Sequence, residues 1–235
     1  MQREELKRLA GYRAAEYVAN GMVVGLGTGT TAAYAIEALG RRVSAGLRIR
    51  GVPTSTASED LAKQTGIPLT SLDECPRVDL TIDGADEVDP QGNLIKGRGG
   101  ALLREKVVAL ASRRIVIAVD EGKLVDRLGV AVPLPVEVVP FAWNRCQQAI
   151  ERMGALVELR RGTGAPFVTD NGNHVLDCRF WPLPDPSQLG QRLKAMAGVV
   201  EHGLFLDMDP IVLVAGQQGV VERTPCFSGN GALRL

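Results

Sequence analysis

The sequence is poor in several features that would mark a specialised class. Only 4% of its 235 residues are aromatic and only two are histidine. The arginine pairs Arg41-Arg42, Arg113-Arg114 and Arg160-Arg161 have no aromatics interleaved with them, so they read as solvated faces and offer no stacking platform for nucleic acid. His174 and His202 stand in no motif and read as structural or surface residues. Net charge is missing too, since 27 Lys and Arg balance 27 Asp and Glu. A neutral chain sets up no long-range field for a polyanion or an anionic membrane, so any anion must be held by a local site. The four cysteines, Cys75, Cys146, Cys178 and Cys226, contain no CxxC pair. That argues against a zinc site or a disulfide framework, and for buried, inert thiols in a reducing compartment. No apolar run is long enough to span a bilayer. The opening MQREELKRLA is polar and periodic, unlike a secretory leader, and a cytoplasmic location is expected. Internal repeats and low-complexity tracts are absent.

What is present is an ordinary globular balance, 45% apolar and 23% charged. The length suits one large domain, or one large and one small, with enough core to need no staple. Leu6, Leu9, Ala10 and Tyr17 share a helical face. Met22 to Val24 reads as a strand running into a glycine-rich turn, and helical spacing resumes at Ala32, Ala33, Ile36 and Leu39, with Gly40 as the expected stop. Arg48 to Val52 is a second strand, and Thr56 to Glu59 reads as a capping box opening a helix. Val78 to Ile82 and Ile115 to Val119 are further strands, separated by a helix from Ala101 to about Ala111. Strands alternating with helices imply a parallel sheet covered on both faces.

The pattern then changes. Pro133, Pro135 and Pro140 bracket a segment that reads as a linker or an edge strand. A helix (Phe141 to Met153), a strand (Leu156 to Leu159), a hairpin turning at Asp170-Asn171-Gly172-Asn173, a helix near Gln188 to Met196 and a strand near Val199 to Phe205 follow. That order, β-α-β-β-α-β, predicts a small split βαβ domain. Ile211 to Val214 reads as a return to the large sheet, and the tail from Thr224 to Leu235 carries little pattern and is read as mobile. The fold class is therefore α/β, a Rossmann-like parallel-sheet domain (1–130 plus 207–235) with a smaller ferredoxin-like α+β domain (131–206).

Four segments carry chemistry. Gly25-Leu26-Gly27-Thr28-Gly29-Thr30-Thr31 lies between strand and helix, where glycines let the backbone approach a ligand. The helix N-terminus and the hydroxyls of Thr28, Thr30 and Thr31 then suit a phosphate monoester. The spacing is G-x-G-x-G, and the second strand ends in Val52-Pro53-Thr54 with no acid for a ribose hydroxyl, so a dinucleotide site and a nicotinamide-dependent dehydrogenase are disfavoured. Asp83-Gly84-Ala85-Asp86-Glu87 ends a strand at the edge where open α/β sheets bind ligands. Its two aspartates can grip sugar hydroxyls or move protons, and a magnesium ion is the rival occupant. Lys96-Gly97-Arg98-Gly99-Gly100 precedes a helix bearing Glu105. A carboxylate beside an ammonium is what enediol chemistry needs: one lifts a proton next to a carbonyl, the other holds the developing oxyanion. Finally, Lys123 follows the fourth strand at the same edge, while Lys7 reads as a solvated lysine.

Together these segments resemble the ribose-5-phosphate isomerase A family, through GLGTGTT at 25–31, DGADEVD at 83–89, KGRGGALLREK at 96–106, Lys123, PLPVEVVP at 133–140 and TDNGNHVLD at 169–177. The resemblance implies interconversion of ribose 5-phosphate and ribulose 5-phosphate with no metal and no cofactor. It assigns Glu105 as general base, Asp83 and Asp86 to ring opening and hydroxyl binding, and Lys96 to the enediolate. Thr28, Gly29, Thr30 and Thr31 would embrace the phosphate with Lys123 nearby, and Gly84, Ala85, Gly97, Arg98 and Gly99 would contact the sugar. It also implies a homodimer or a tetramer. The chain departs from the family at Arg98, where a glycine is common, and at Leu103, where threonine is frequent. A side chain at residue 98 would make a positive φ there awkward. A non-enzymatic sugar-phosphate sensor is the alternative, but a sensor has no need of Lys96 and Glu105 together.

Overall fold

The computed structural model describes residues 1–223; the tail, with Cys226, lies outside the described residues. The chain opens with α1 (Arg3–Ala15), β1 (Val23–Leu26), α2 (Thr30–Ser44), β2 (Arg50–Pro53), α3 (Thr56–Gln64) and β3 (Val78–Asp83). Two short strands, β4 (Glu87–Val88) and β5 (Leu94–Ile95), precede α4 (Leu102–Leu110) and β6 (Ser112–Asp120). Then come β7 (Leu134–Val138), α5 (Trp143–Glu151), β8 (Leu156–Leu159), β9 (His174–Arg179), α6 (Pro186–Lys194) and β10 (Val199–His202). β11 (Leu204–Phe205), β12 (Ile211–Gly216) and β13 (Gly219–Arg223) complete the described chain.

The main sheet has the order β13-β12-β6-β3-β1-β2. Every neighbouring pair is parallel except the β12–β13 hairpin. Alternate side chains serve two cores, as the period of a strand requires. Val24, Leu26, Leu80, Ile82, Val116 and Ala118 pack with α1 and α2, whereas Ile115, Ile117, Val119, Val212 and Val214 face the opposite side. Burial on both faces explains why these strands read as continuous apolar runs. From β1 the chain moves outward to β2 on one side, then resumes on the other side with β3 and β6. That reversal opens a crevice between β1 and β3 beyond the carboxyl ends of the strands.

A second sheet, β10-β7-β9-β8, is antiparallel throughout and packs α5 and α6 into one shared core. Its order is the one the ferredoxin-like β-α-β-β-α-β pattern predicts. A third sheet, β11-β5-β4, is made of two-residue strands whose length leaves no periodicity to read.

Several local expectations need correction. The segment at Pro133 to Pro140 is an internal strand, β7, between β9 and β10. Pro135 is tolerated because it lies opposite Gly203, whose amide donates to the Pro135 carbonyl at 2.8 Å and whose own carbonyl accepts from the Lys96 amide at 2.9 Å, so no acceptor waits for the missing N–H. Gly40 does not stop α2, which runs on to Ser44; a Cβ there would collide with Thr65 at the end of α3. The cap of α3 is Ser55, whose hydroxyl accepts from the Ser58 amide at 3.1 Å, one residue before the expected box. Caps of this kind are each worth about 1 kcal/mol. The strand expected over Val199 to Phe205 divides at Gly203, because β10 pairs with β7 and β11 pairs with β5. The turn at residues 170–173 forms, but β9 pairs with β8 rather than with the residues just before that turn. Cys146 and Cys178 are buried free thiols as expected, while Cys75 is only half-buried. Among the described residues, no helix is long and apolar enough to cross a membrane.

Candidate active site

The strand ends deliver the site. β1 runs out at Leu26, β3 at Asp83 and β6 at Asp120, all at one edge of the sheet. A cavity of about 440 Å³ opens there. Its wall contains Thr28, Gly29, Thr30, Thr31, Gly84, Ala85, Asp86, Lys96, Gly97, Arg98, Gly99, Glu105 and Lys123. Three stretches far apart in sequence therefore meet as the motifs required. Asp83 is adjacent but lies behind Lys96 rather than in the wall.

The polar centre is a buried cluster of two carboxylates and one ammonium. Lys96 follows β5, and its amide donates to the Gly203 carbonyl at 2.9 Å, which fixes where the side chain starts. Its Nζ lies 3.1 Å from Asp83 Oδ2 and 3.2 Å from Glu105 Oε1, and donates to the Gly84 carbonyl at 2.6 Å. Asp83 Oδ1 accepts from the amides of Thr28 at 3.1 Å and Gly84 at 2.7 Å. This close approach requires Gly27, because a Cβ there would run into the Asp83 carboxylate. Glu105 is different: it is 4% exposed, and its Oε2 accepts no hydrogen bond among the described residues.

The electrostatics follow from these contacts. Burial, then the negative charge of Asp83, push the Glu105 carboxyl up to about 8, against the pull of Lys96. Burial also raises the Asp83 carboxyl, opposed by Lys96 and by the two amides. For Lys96, burial would lower the ammonium pKa, but Asp83 and Glu105 together outweigh it and hold the group charged. Two acids thus share one cation, and the less well supported of them, Glu105, is the one poised to take or release a proton near neutrality.

The other end of the cavity is built for an anion. Gly29 adopts φ 101° as the N-cap immediately before α2, leaving the first helical amides and Thr30 and Thr31 at the cavity wall. The Thr28 hydroxyl is turned away into a cluster with Thr54 at 2.7 Å and Ser55 at 2.8 Å. Lys123 sits on a 3-10 turn (Glu121–Lys123) capped by Asp120, which accepts from the Gly122 amide at 3.1 Å. Its Nζ is 3.8 Å from Asp86 Oδ1.

Two cavity residues escaped the sequence reading. Lys7, expected to be solvated, and Arg3 both line the cavity from α1. Lys7 is held by Glu4 at 3.1 Å, and Arg3 reaches to 3.5 Å from Asp120. Polarity on an amphipathic helix is equally consistent with solvent and with a neighbouring cleft, so no local signal separates the two. Arg160, also expected to be solvated, is instead half-buried and pins the glycine-rich turn. It donates to the carbonyls of Gly97 at 2.9 Å and Arg98 at 3.0 Å, while Nε donates to Asp177 at 2.9 Å.

Arg98 fits that turn. The positive φ values fall on Gly97 (109°) and Gly100 (81°), and residue 98 is not among the positive-φ positions. A glycine is therefore not required there. The Arg98 amide donates to Asp86 Oδ2 at 3.0 Å, which ties the turn to the acidic loop. Leu103 does not line the cavity.

Known proteins match this chain along nearly its whole length. Residues 50–219 match the family model of ribose 5-phosphate isomerase A (phosphoriboisomerase A). The chain is 52% identical over 226 residues to a ribose-5-phosphate isomerase A of Gloeobacter violaceus, covering 96% of this chain and 98% of that protein. It is 50% identical to one of Thermomicrobium roseum, covering 97% and 98%. Among solved structures, a D-ribose-5-phosphate isomerase in complex with phospho-erythronic acid superimposes with TM-score 0.92 at 41% identity, over 95% of this chain and all of that one. The ribose 5-phosphate isomerase A of Methanocaldococcus jannaschii gives 0.90 at 40% identity, with the same coverage. The chain belongs to the ribose 5-phosphate isomerase A family.

Proposed function

We propose that this cavity interconverts ribose 5-phosphate and ribulose 5-phosphate with Glu105 as the base that carries the proton between C2 and C1. One observation carries the reading: a buried carboxyl in the cavity wall has one oxygen 3.2 Å from a lysine ammonium and the other without a hydrogen-bond partner among the described residues. The open aldose presents a C1 carbonyl and a C2 hydrogen. Glu105 removes the C2 proton, and the negative charge that develops on O1 is stabilised by the Lys96 ammonium. Transfer of the O2 proton to O1, together with return of the proton from Glu105 to C1, gives the ketose. A base with a pKa of about 8 is strong enough to take the carbon-bound proton and is still partly ionised near neutral pH.

Asp86, in the cavity wall, is assigned to the sugar hydroxyls and to ring opening, where it accepts the O1 proton and delivers it to the ring oxygen as the bond from C1 to that oxygen breaks. Asp83, behind Lys96, orients that ammonium. The phosphate is assigned to the start of α2 at Gly29, Thr30 and Thr31, with Lys123, Lys7 and Arg3 around it, while Thr28, whose amide and hydroxyl are both engaged, lines the cavity beside them. Gly84, Ala85, Gly97, Arg98 and Gly99 supply the backbone against which the pentose lies. Lys96 is an electrophile that requires no metal for this step.

The proposal extends to organisation. The strands of the six-stranded sheet all come from outside residues 131–206, and those of the four-stranded sheet all from inside. This supports a Rossmann-like domain of 1–130 plus 207–235, of which 224–235 lie outside the described residues, and an inserted ferredoxin-like domain of 131–206. A cytoplasmic homodimer is part of the same reading; the buried free thiols of Cys146 and Cys178 favour a reducing compartment. Sedimentation velocity measures the assembly.

The reaction is tested by incubating the protein with ribose 5-phosphate in deuterated buffer. Ribulose 5-phosphate should appear, with solvent deuterium exchanged into the carbon-bound position that the base serves. No ketose would overturn the activity, and ketose formed without any incorporation at any extent of conversion would argue for direct hydride transfer.

A further inference from the structure

The run Arg104-Glu105-Lys106 places two cations on either side of the base, and neither takes part in the chemistry proposed above. Successive residues of an α-helix point about 100° apart around its axis, so the three side chains leave α4 in three directions. Lys106 is buried and reaches β10. Its Nζ lies 2.8 Å from Glu201 Oε1, donates to the His202 carbonyl at 2.6 Å and stands 3.4 Å from His202 Nδ1. Glu201 is in turn held by Lys194 at 2.7 Å. Arg104 reaches the turn between β8 and β9. It donates to Asn171 Oδ1 at 2.8 Å and to the Asp170 carbonyl at 3.0 Å.

Both anchor points are themselves fixed. The turn is rooted on buried Glu137, whose Oε1 accepts from Thr169 Oγ1 at 2.9 Å, Asn171 Nδ2 at 3.1 Å and Asn173 Nδ2 at 2.9 Å. Asp170 also accepts from the Thr56 amide at 2.7 Å. On the other side, the buried Phe205 ring has Lys106 Nζ 4.9 Å and Lys96 Nζ 5.5 Å from its centroid, so the anchor and the electrophile share one aromatic neighbour.

We propose that Arg104 and Lys106 are positioning residues that clamp the rotation of α4 about its axis and so hold the Glu105 carboxylate in reach of Lys96 and of the substrate carbon. The need for such a clamp is local. α4 has only nine residues and follows a turn containing three glycines, with no side-chain cap at its start. Side-chain anchors on either side of the base supply the restraint that the turn lacks. The clamp touches neither α2 nor Asp86, so it bears on proton transfer and not on substrate capture. It rests on the assignment of Glu105 as base.

The test is steady-state kinetics on Lys106→Met, Lys106→Arg and Arg104→Met, each checked for folding by circular dichroism, with Glu105→Gln in parallel. A misplaced base should lower kcat by about 10- to 100-fold, the scale of an ångström-sized displacement, and leave KM nearly unchanged. Lys106→Arg, which keeps the charge and the donors, should recover most of the loss. Folded Lys106→Met with wild-type kcat, a loss carried by KM alone, or Lys106→Arg no better than Lys106→Met would each overturn the clamp. If Lys106→Met does not fold, the half-buried Arg104→Met decides: reduced kcat supports the clamp and unchanged kcat overturns it. An active Glu105→Gln would instead defeat the assignment of the base, whatever Lys106 does.

Discussion

Replacing Glu105 by glutamine separates catalysis from stability in one variant. The amide keeps the shape of the side chain but can neither accept the C2 proton nor ionise. Turnover should therefore fall by about two to four orders of magnitude, the usual scale for a positioned acid–base group. Stability should move the other way. The Glu105 carboxyl rises from an ordinary 4.5 to about 8 in the folded protein, a difference whose ceiling is about 5 kcal/mol at 1.36 kcal/mol for each tenfold change. Because the folded value is the higher one, the folded state binds more protons than the unfolded chain between these limits. The contribution of this acid to stability is then fully present below about pH 4.5 and is lost as pH rises through about 8. Glutamine has no such dependence. Urea unfolding at pH 5 and at pH 8.5 should show the variant gaining on the parent by about 2 kcal/mol or more at the higher pH, within that ceiling. An equal stability difference at both pH values would refute the buried, proton-holding state of Glu105, and turnover near that of the parent would refute its role as base.

In the parent, kcat/KM should rise with pH until the base is ionised, at about 8; a profile flat from pH 6 to 9 would contradict the shift. Activity should survive exhaustive chelation, since Lys96 is the assigned electrophile. Loss on EDTA treatment with recovery on adding magnesium would make the two aspartates a metal site. Lys7→Met should raise KM and the inhibition constant for inorganic phosphate together, with kcat little changed, and unchanged phosphate inhibition would remove Lys7 from the anion end. Gly97→Ala should destabilise by about 1–3 kcal/mol in thermal or urea unfolding because of its positive φ and the approach of Leu102 at 2.8 Å. Arg98→Gly should cost about 1 kcal/mol at most, and the reverse ranking would refute the reading of the turn.

Much of this molecule was legible before any coordinates. The strands β1, β3 and β6 carry apolar runs, and the glycines after β1 lead directly into α2, so these passages allow few local alternatives. The four-stranded unit was legible because its β-α-β-β-α-β order fixes how the strands can pair. Tertiary structure alone decided matters that depend on which distant segment lies opposite. It placed Lys7 and Arg3 in the cleft, set Asp83 behind Lys96, made β7 an internal strand and brought Arg160 across to the glycine turn. It also decided that Glu105, an unremarkable helix residue by pattern, lies buried against Lys96, a cation it shares with Asp83. Periodicity along one segment determines its form and its buried face, whereas the ionisation of a side chain depends on charges and burial contributed by segments tens of residues away.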